Sequence, residues 1–137
     1  MNDFAARSFA ASEDAPDFAP DLPADSTPAI DLVRLARQCL GDQDLERELL
    51  VLFERQAARA IGRLAGAPSG DFKLRADLAH TLKGSALAVG AQRVADAAAR
   101  VETLCSEQAG DATLAAALAS LAAAVSEARE AIARLAI

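Results

Sequence analysis

An all-α protein is predicted, an antiparallel up-and-down four-helix bundle with a short additional N-terminal helix, and three observations carry that expectation. Helical stretches recur between glycine, proline and aspartate punctuation, with apolar residues returning every three to four positions. Hydrophobic residues make up 53% of the 137 positions, yet aromatic residues only 4%, with no Trp and no Tyr. The apolar content is therefore Ala, Leu and Val, which suits closely packed helices better than a β-sandwich. The chain is also long enough for one domain with a real core.

Residues 1–27 stand apart. They hold Pro16, Pro20 and Pro23, several acidic residues and no helical period, with Pro28 at their edge. They read as an N-terminal extension without a core of its own, expected to be flexible, ahead of a bundle over residues 28–137. Thr27 is a plausible N-cap with Pro28 at the first helical position, opening a short helix to Leu40. Gly41 ends it and Asp42 can cap the next, which carries Leu45, Leu49, Leu52, Phe53 and Gln56 on one side and runs to about Leu64. Gly66, Pro68 and Gly70 break the chain. Ser69 or Asp71 then starts a long helix to about Val89, with Gly90 as its stop. The next runs from Ala91 to about Gln108 with a seam of Val94, Ala97, Val101 and Leu104. After Gly110 and Asp111 the last helix reaches nearly to Ile137. Its Leu114, Leu118, Leu121, Val125, Ala128, Ile132 and Leu135 repeat at about 3.5 residues. Short connections make such seams pack antiparallel at a shallow angle.

The formal net charge of -6 repels phosphate backbones and anionic lipid, so neither nucleic acid nor membrane is expected as a partner. The N-terminus lacks the apolar run of a signal peptide, and charges interrupt every stretch approaching the ~20 apolar residues of a membrane span. A cytoplasmic protein is expected. Cys39 and Cys105 have no metal-like spacing and are expected to be buried and reduced.

The sequence contains one histidine, His80, in the segment ADLAHTLKGSALAVGA. At ~100° per residue, Leu78, Leu82 and Val89 lie within roughly 20° of the direction opposite His80. The imidazole therefore points out of the core. Lys83 and Gly84 follow at i+3 and i+4, the positions that stand beside a helical side chain. Glycine inside a helix costs about 1 kcal/mol relative to Ala, and an outward face has no packing need for it. A bare backbone beside His80 would let another molecule approach closely. Lys83 offers a positive charge where an anionic group on the ring would sit, worth about 1 kcal/mol at ~4 Å in water and more once solvent is excluded.

The run His80-Thr81-Leu82-Lys83-Gly84-Ser85-Ala86, followed by Val89-Gly90-Ala91, closely resembles the phosphorylation motif of histidine-containing phosphotransfer (HPt) domains of bacterial two-component phosphorelays. The resemblance covers about residues 28–137. It implies that His80 is the phosphoacceptor, through Nε2, that Lys83 steadies the phosphoryl oxygens, and that Gly84 leaves room for the partner. It also implies a carrier that is not an enzyme: a receiver-domain aspartate and its Mg²⁺ supply the electrophile, and the chain needs no cofactor of its own. The implied partners are response-regulator receiver domains and a hybrid histidine kinase, met by a monomer.

A fourth residue follows from geometry. In a helical hairpin centred near Ala91, antiparallel pairing sets His80 level with Glu102, on the flank of the Val94, Val101 and Leu104 seam. A carboxylate there could accept a hydrogen bond from Nδ1–H and leave Nε2 free. Docking is expected to use Ala76 and Leu87 around the site, with Gln92, Arg93 and Arg100 adding polar contacts. No Gly-rich phosphate loop, paired Glu-x-x-His motif or second histidine supports an enzyme or metal site. Two rivals remain: a helical bundle that binds receiver or kinase domains without accepting phosphate, and a phosphotransfer domain cut from a chemotaxis-type kinase. With Met1 opening the sequence, a free-standing relay protein is favoured over the latter.

Overall fold

The computed structural model describes residues 27–135, so the extension lies almost wholly outside the described residues. Five helices follow one another: α1 (Leu32–Gln38), α2 (Gln43–Gly66), α3 (Phe72–Ala88), α4 (Gln92–Ser106) and α5 (Asp111–Leu135). Helix α3 packs most extensively on α4, α4 on α5, and α2 on both α3 and α5, which closes a four-helix ring; α1 sits against α2.

Aspartates start three of the helices. The carboxylates of Asp31, Asp42 and Asp71 each accept a hydrogen bond at 3.1 Å from the backbone N–H three residues on, satisfying a donor the helix cannot pair internally. The first of these corrects the expected cap. Helix α1 begins after Asp31, not at Pro28, because residues ahead of it are committed elsewhere: Ile30 is buried, and the Asp31 N–H donates to the Gly90 carbonyl at 2.8 Å. Gly90 turns the chain between α3 and α4 at φ +76°, and a Cβ there would meet the Asp31 carbonyl oxygen at 2.8 Å. Glycine is required twice over at this position, by backbone angle and by space. Helix α4 is shorter than the expected 91–108 span, and its N-cap, Ala91, is fully buried and has no capping side chain.

Two buried faces also differ from the expected ones. In α2 the core residues are Leu50, Phe53, Ala57 and Leu64, whereas Leu45, Leu52 and Gln56 face outward and Leu49 is half-buried. In α3 the buried line runs through Ala79, Leu82 and Ala86, with Leu78 only half-buried. Small side chains explain the second shift. Ala79 and Ala86 of α3, and Ala95 and Ala98 of α4, are all buried in the pair of helices that packs most extensively. Methyl-sized side chains allow close helix approach, which a count of leucines does not register. Helix α5 buries Leu114, Ala117, Leu121, Val125, Ala128 and Ile132, close to the expected seam, but Leu135 is exposed. By length and composition alone α5 could cross a membrane; here its apolar stripe is one wall of the core. Cys39 and Cys105 are buried free thiols, and burial pushes both up from the ordinary thiol range.

Candidate functional site

His80 occupies the middle of α3, and its side chain is 65% exposed. Its neighbour in sequence, Ala79, takes the buried position, so the helix turns the imidazole outward beside the α4 interface. Glu102 projects from α4 at the same level. Its carboxylate joins the other two site residues: Oε2 lies 2.9 Å from His80 Nδ1, and Oε1 accepts from Lys83 Nζ at 2.9 Å. With Nδ1 carrying the proton, the ring donates to Glu102, and Nε2 presents its lone pair to solvent. Nε2 has no hydrogen-bond partner among the described residues.

The ammonium of Lys83 and the imidazole together hold the carboxyl of Glu102 below the ordinary carboxylate range, Lys83 contributing most, while partial desolvation pulls the other way. Glu102 and Lys83 are 28% and 30% exposed, shielded enough for a charged hydrogen bond to fix geometry. The Lys83–Glu102 pair was not foreseen. The same antiparallel register that aligns His80 with Glu102 places Lys83 one turn along α3, so a diagonal pairing was available to sequence reasoning.

Gly84 completes the outward face, and nothing stands within 4 Å of where its Cβ would be. Packing does not ask for glycine here. Lys73 and Asp77, on the same helix, pair at 2.9 Å. Ala76 and Leu87, expected as exposed docking residues, are half-buried and packed against the core, so each offers only part of its surface. Of the polar residues expected nearby, Gln92 donates to Asp96 at 2.8 Å and Arg93 pairs with Glu127 at 2.9 Å, while Arg100 is exposed. Chemically, the arrangement is an oriented, solvent-facing nucleophile with a cation one turn away and an uncluttered approach.

The family model described as "Hpt domain" matches residues 48–136. Among solved structures, the X-ray structure of a protein from rice described as a histidine-containing phosphotransfer protein superposes with a TM-score of 0.68. It is 26% identical, and the match covers 78% of this chain and 80% of that one. Among curated proteins no match is found. The family match spans α3, α4 and α5 entire and most of α2, and with it the helix that displays His80: the chain belongs to the Hpt domain family.

Proposed function

We propose that the chain carries a phosphoryl group on Nε2 of His80, passing it between receiver-domain aspartates of a two-component phosphorelay. One observation carries the assignment of the residue: the protein has a single histidine, and that histidine faces solvent with Nδ1 engaged and Nε2 open. A phosphohistidine carrier with one histidine has one place to put the phosphate.

The Nε2 lone pair forms the N–P bond as the bond from phosphorus to the receiver's aspartyl oxygen breaks, and that electron pair returns to the aspartate carboxylate. The Nδ1 proton stays on the ring, held by Glu102, so the phosphorylated imidazole is cationic and remains a good leaving group for the reverse step. Lys83 starts paired to Glu102 and lies one helical turn from the ring. Once three phosphoryl oxygens are present, its ammonium has a second anionic partner within the same reach. Gly84 leaves the backbone bare where the receiver surface must approach.

Hpt proteins are carriers rather than catalysts, and their partners are receiver domains and histidine kinases. In this reading the receiver supplies the Mg²⁺ and the electrophilic centre, the chain needs no cofactor, and it works as a cytoplasmic monomer. Half-exposed Ala76 and Leu87 form part of the docking contact around the imidazole.

The test is transfer from an acetyl-phosphate-loaded receiver domain to the purified full chain and to His80→Gln. Acid-labile, base-stable phosphate on the parent and none on the variant supports the proposal. Receiver binding or signalling that survives His80→Gln intact, with no phosphate on the parent, would make the bundle a phosphate-independent binder.

A further inference from the structure

At the end of the bundle where α1 meets the start of α2 and the last turn of α5, apolar side chains are left uncovered. A groove of ≈ 500 Å³ is lined there by Leu32, Ala36, Val51 and Leu135 among others, and it continues past Leu32 and Ala36 onto Val33 and Leu40. Val33 is 62% exposed and Leu40 93%. Leu40 is the odder of the two. It sits at φ 53°, the left-handed region that glycine or asparagine enters at far lower cost. A position that is both strained and solvated has no folding reason to be leucine. Contiguous uncovered apolar surface of this kind marks a contact site. It shares no residue with the His80, Lys83 and Glu102 cluster.

We propose that this surface is covered by the chain's own residues 1–26, with Phe9 and Phe18 laid into the groove between α1, α2 and α5. The composition of that segment favours it as occupant. It contains Phe4, Phe9 and Phe18, three of the five phenylalanines in the protein. It carries six of the twenty acidic residues and one of the fourteen basic ones. The rim itself is of mixed charge, with Arg37, Arg47 and Arg55 set among Asp44, Glu46 and Glu48, so the apolar floor and not the rim decides what it accepts. Spaced aromatic rings complement an apolar groove of this kind, and their flanking carboxylates can stay in solvent.

Attachment favours it too. Thr27 leads through buried Ile30 straight into α1, so the segment leaves the fold at the edge of the surface. Leu32 lies fourteen positions after Phe18. At up to ~3.3–3.6 Å per residue that reach spans the whole groove. A tethered partner acts at an effective concentration in the mM range, so contacts too weak to hold a second copy at micromolar protein suffice for the tail.

The test compares methyl NMR spectra of the full chain with those of the full-length variant Phe4→Ala/Phe9→Ala/Phe18→Ala. Removing the rings should shift the methyl signals of Leu32, Val33, Leu40, Val51 and Leu135, through lost ring currents, and leave those of Leu121 and Val101 in place. In the reverse direction, Val33→Ser, at an exposed position that folding does not need, should move the phenylalanine ring signals toward free-peptide values. Unchanged groove methyls in the triple variant overturn the proposal. So do shifts that vanish on dilution together with a fall in sedimenting mass, which would make a second copy the occupant.

Discussion

Glu102 is the residue on which the chemistry of the site turns, because it holds two partners at 2.9 Å at once. One bond fixes the imidazole tautomer; the other parks the ammonium of Lys83. Glu102→Ala removes both and is expected to slow phosphotransfer roughly tenfold, the effect of about 1.4 kcal/mol in a barrier. Glu102→Gln keeps an acceptor for Nδ1–H and should recover most of that rate, a difference single-turnover transfer assays can read. A purely structural Glu102 would make the two variants alike. The pH dependence has a definite sign. The folded protein holds this carboxyl below its ordinary value, so Glu102 contributes stability that is complete above the unfolded value of about 4.3. That contribution disappears as pH falls through the lower folded value. The stability difference between parent and Glu102→Ala, measured by urea titration, should therefore be largest near neutral pH and shrink below about pH 4. Gly84 gives a third outcome at this scale. With open space around its Cβ position, Gly84→Gln should stabilise the helix by roughly 0.5–1 kcal/mol while blocking the approach to His80. A raised thermal midpoint with slowed transfer would show both; unimpaired transfer would show that no partner needs the bare backbone.

Among the elements, the α3–α4 hairpin does most to position the site, and Gly90 sets its geometry. The turn places His80 and Glu102 level, and the same glycine receives the N-terminus of α1 through the Asp31 N–H. Gly90→Ala puts a methyl 2.8 Å from the Asp31 carbonyl oxygen at a positive φ, and is expected to cost about 1–3 kcal/mol in chemical denaturation. The hairpin was legible in the sequence because its signals are local: Asp71 as cap, Gly90 as stop, and a spacing that aligns residue 80 with residue 102. The face of α2 was not. That helix carries Leu45, Leu49, Leu50 and Leu52 close together, more leucines than one buried stripe needs, so periodicity alone could not decide which of them the core takes. The α1 start was missed for a different reason. Pro28 is a good first helical residue anywhere, but here Ile30 and Asp31 are drawn to Gly90, a tertiary contact that local sequence does not announce. Ala76 and Leu87 were expected to be more open than they are, since the buried line of α3 follows its alanines rather than its leucines.

At the scale of the whole molecule, a four-helix ring with alanine-lined contacts makes a rigid rod from few aromatic residues, and it presents its single histidine at mid-length. Rigidity suits a carrier that must offer the same nitrogen to donor and acceptor in turn. Residues 27–137 hold thirteen basic and fourteen acidic residues, so most of the net -6 belongs to the N-terminal segment and the remainder of the chain is close to neutral. Sedimentation of the full chain should return a mass near 14.2 kDa if the carrier works alone, and twice that if two copies share the exposed α1 surface.

The central claim is that Nε2 of His80 accepts the phosphate while Nδ1 keeps its proton on Glu102. Long-range ¹H–¹⁵N NMR of the imidazole, recorded before and after phosphorylation by a receiver domain loaded with acetyl phosphate and Mg²⁺, reads both nitrogens directly. The Nδ1–H tautomer is expected beforehand and phosphorus bonded to Nε2 afterwards. Phosphorus on Nδ1, or phosphate recovered from any other residue while the imidazole signals stay unchanged, would contradict it.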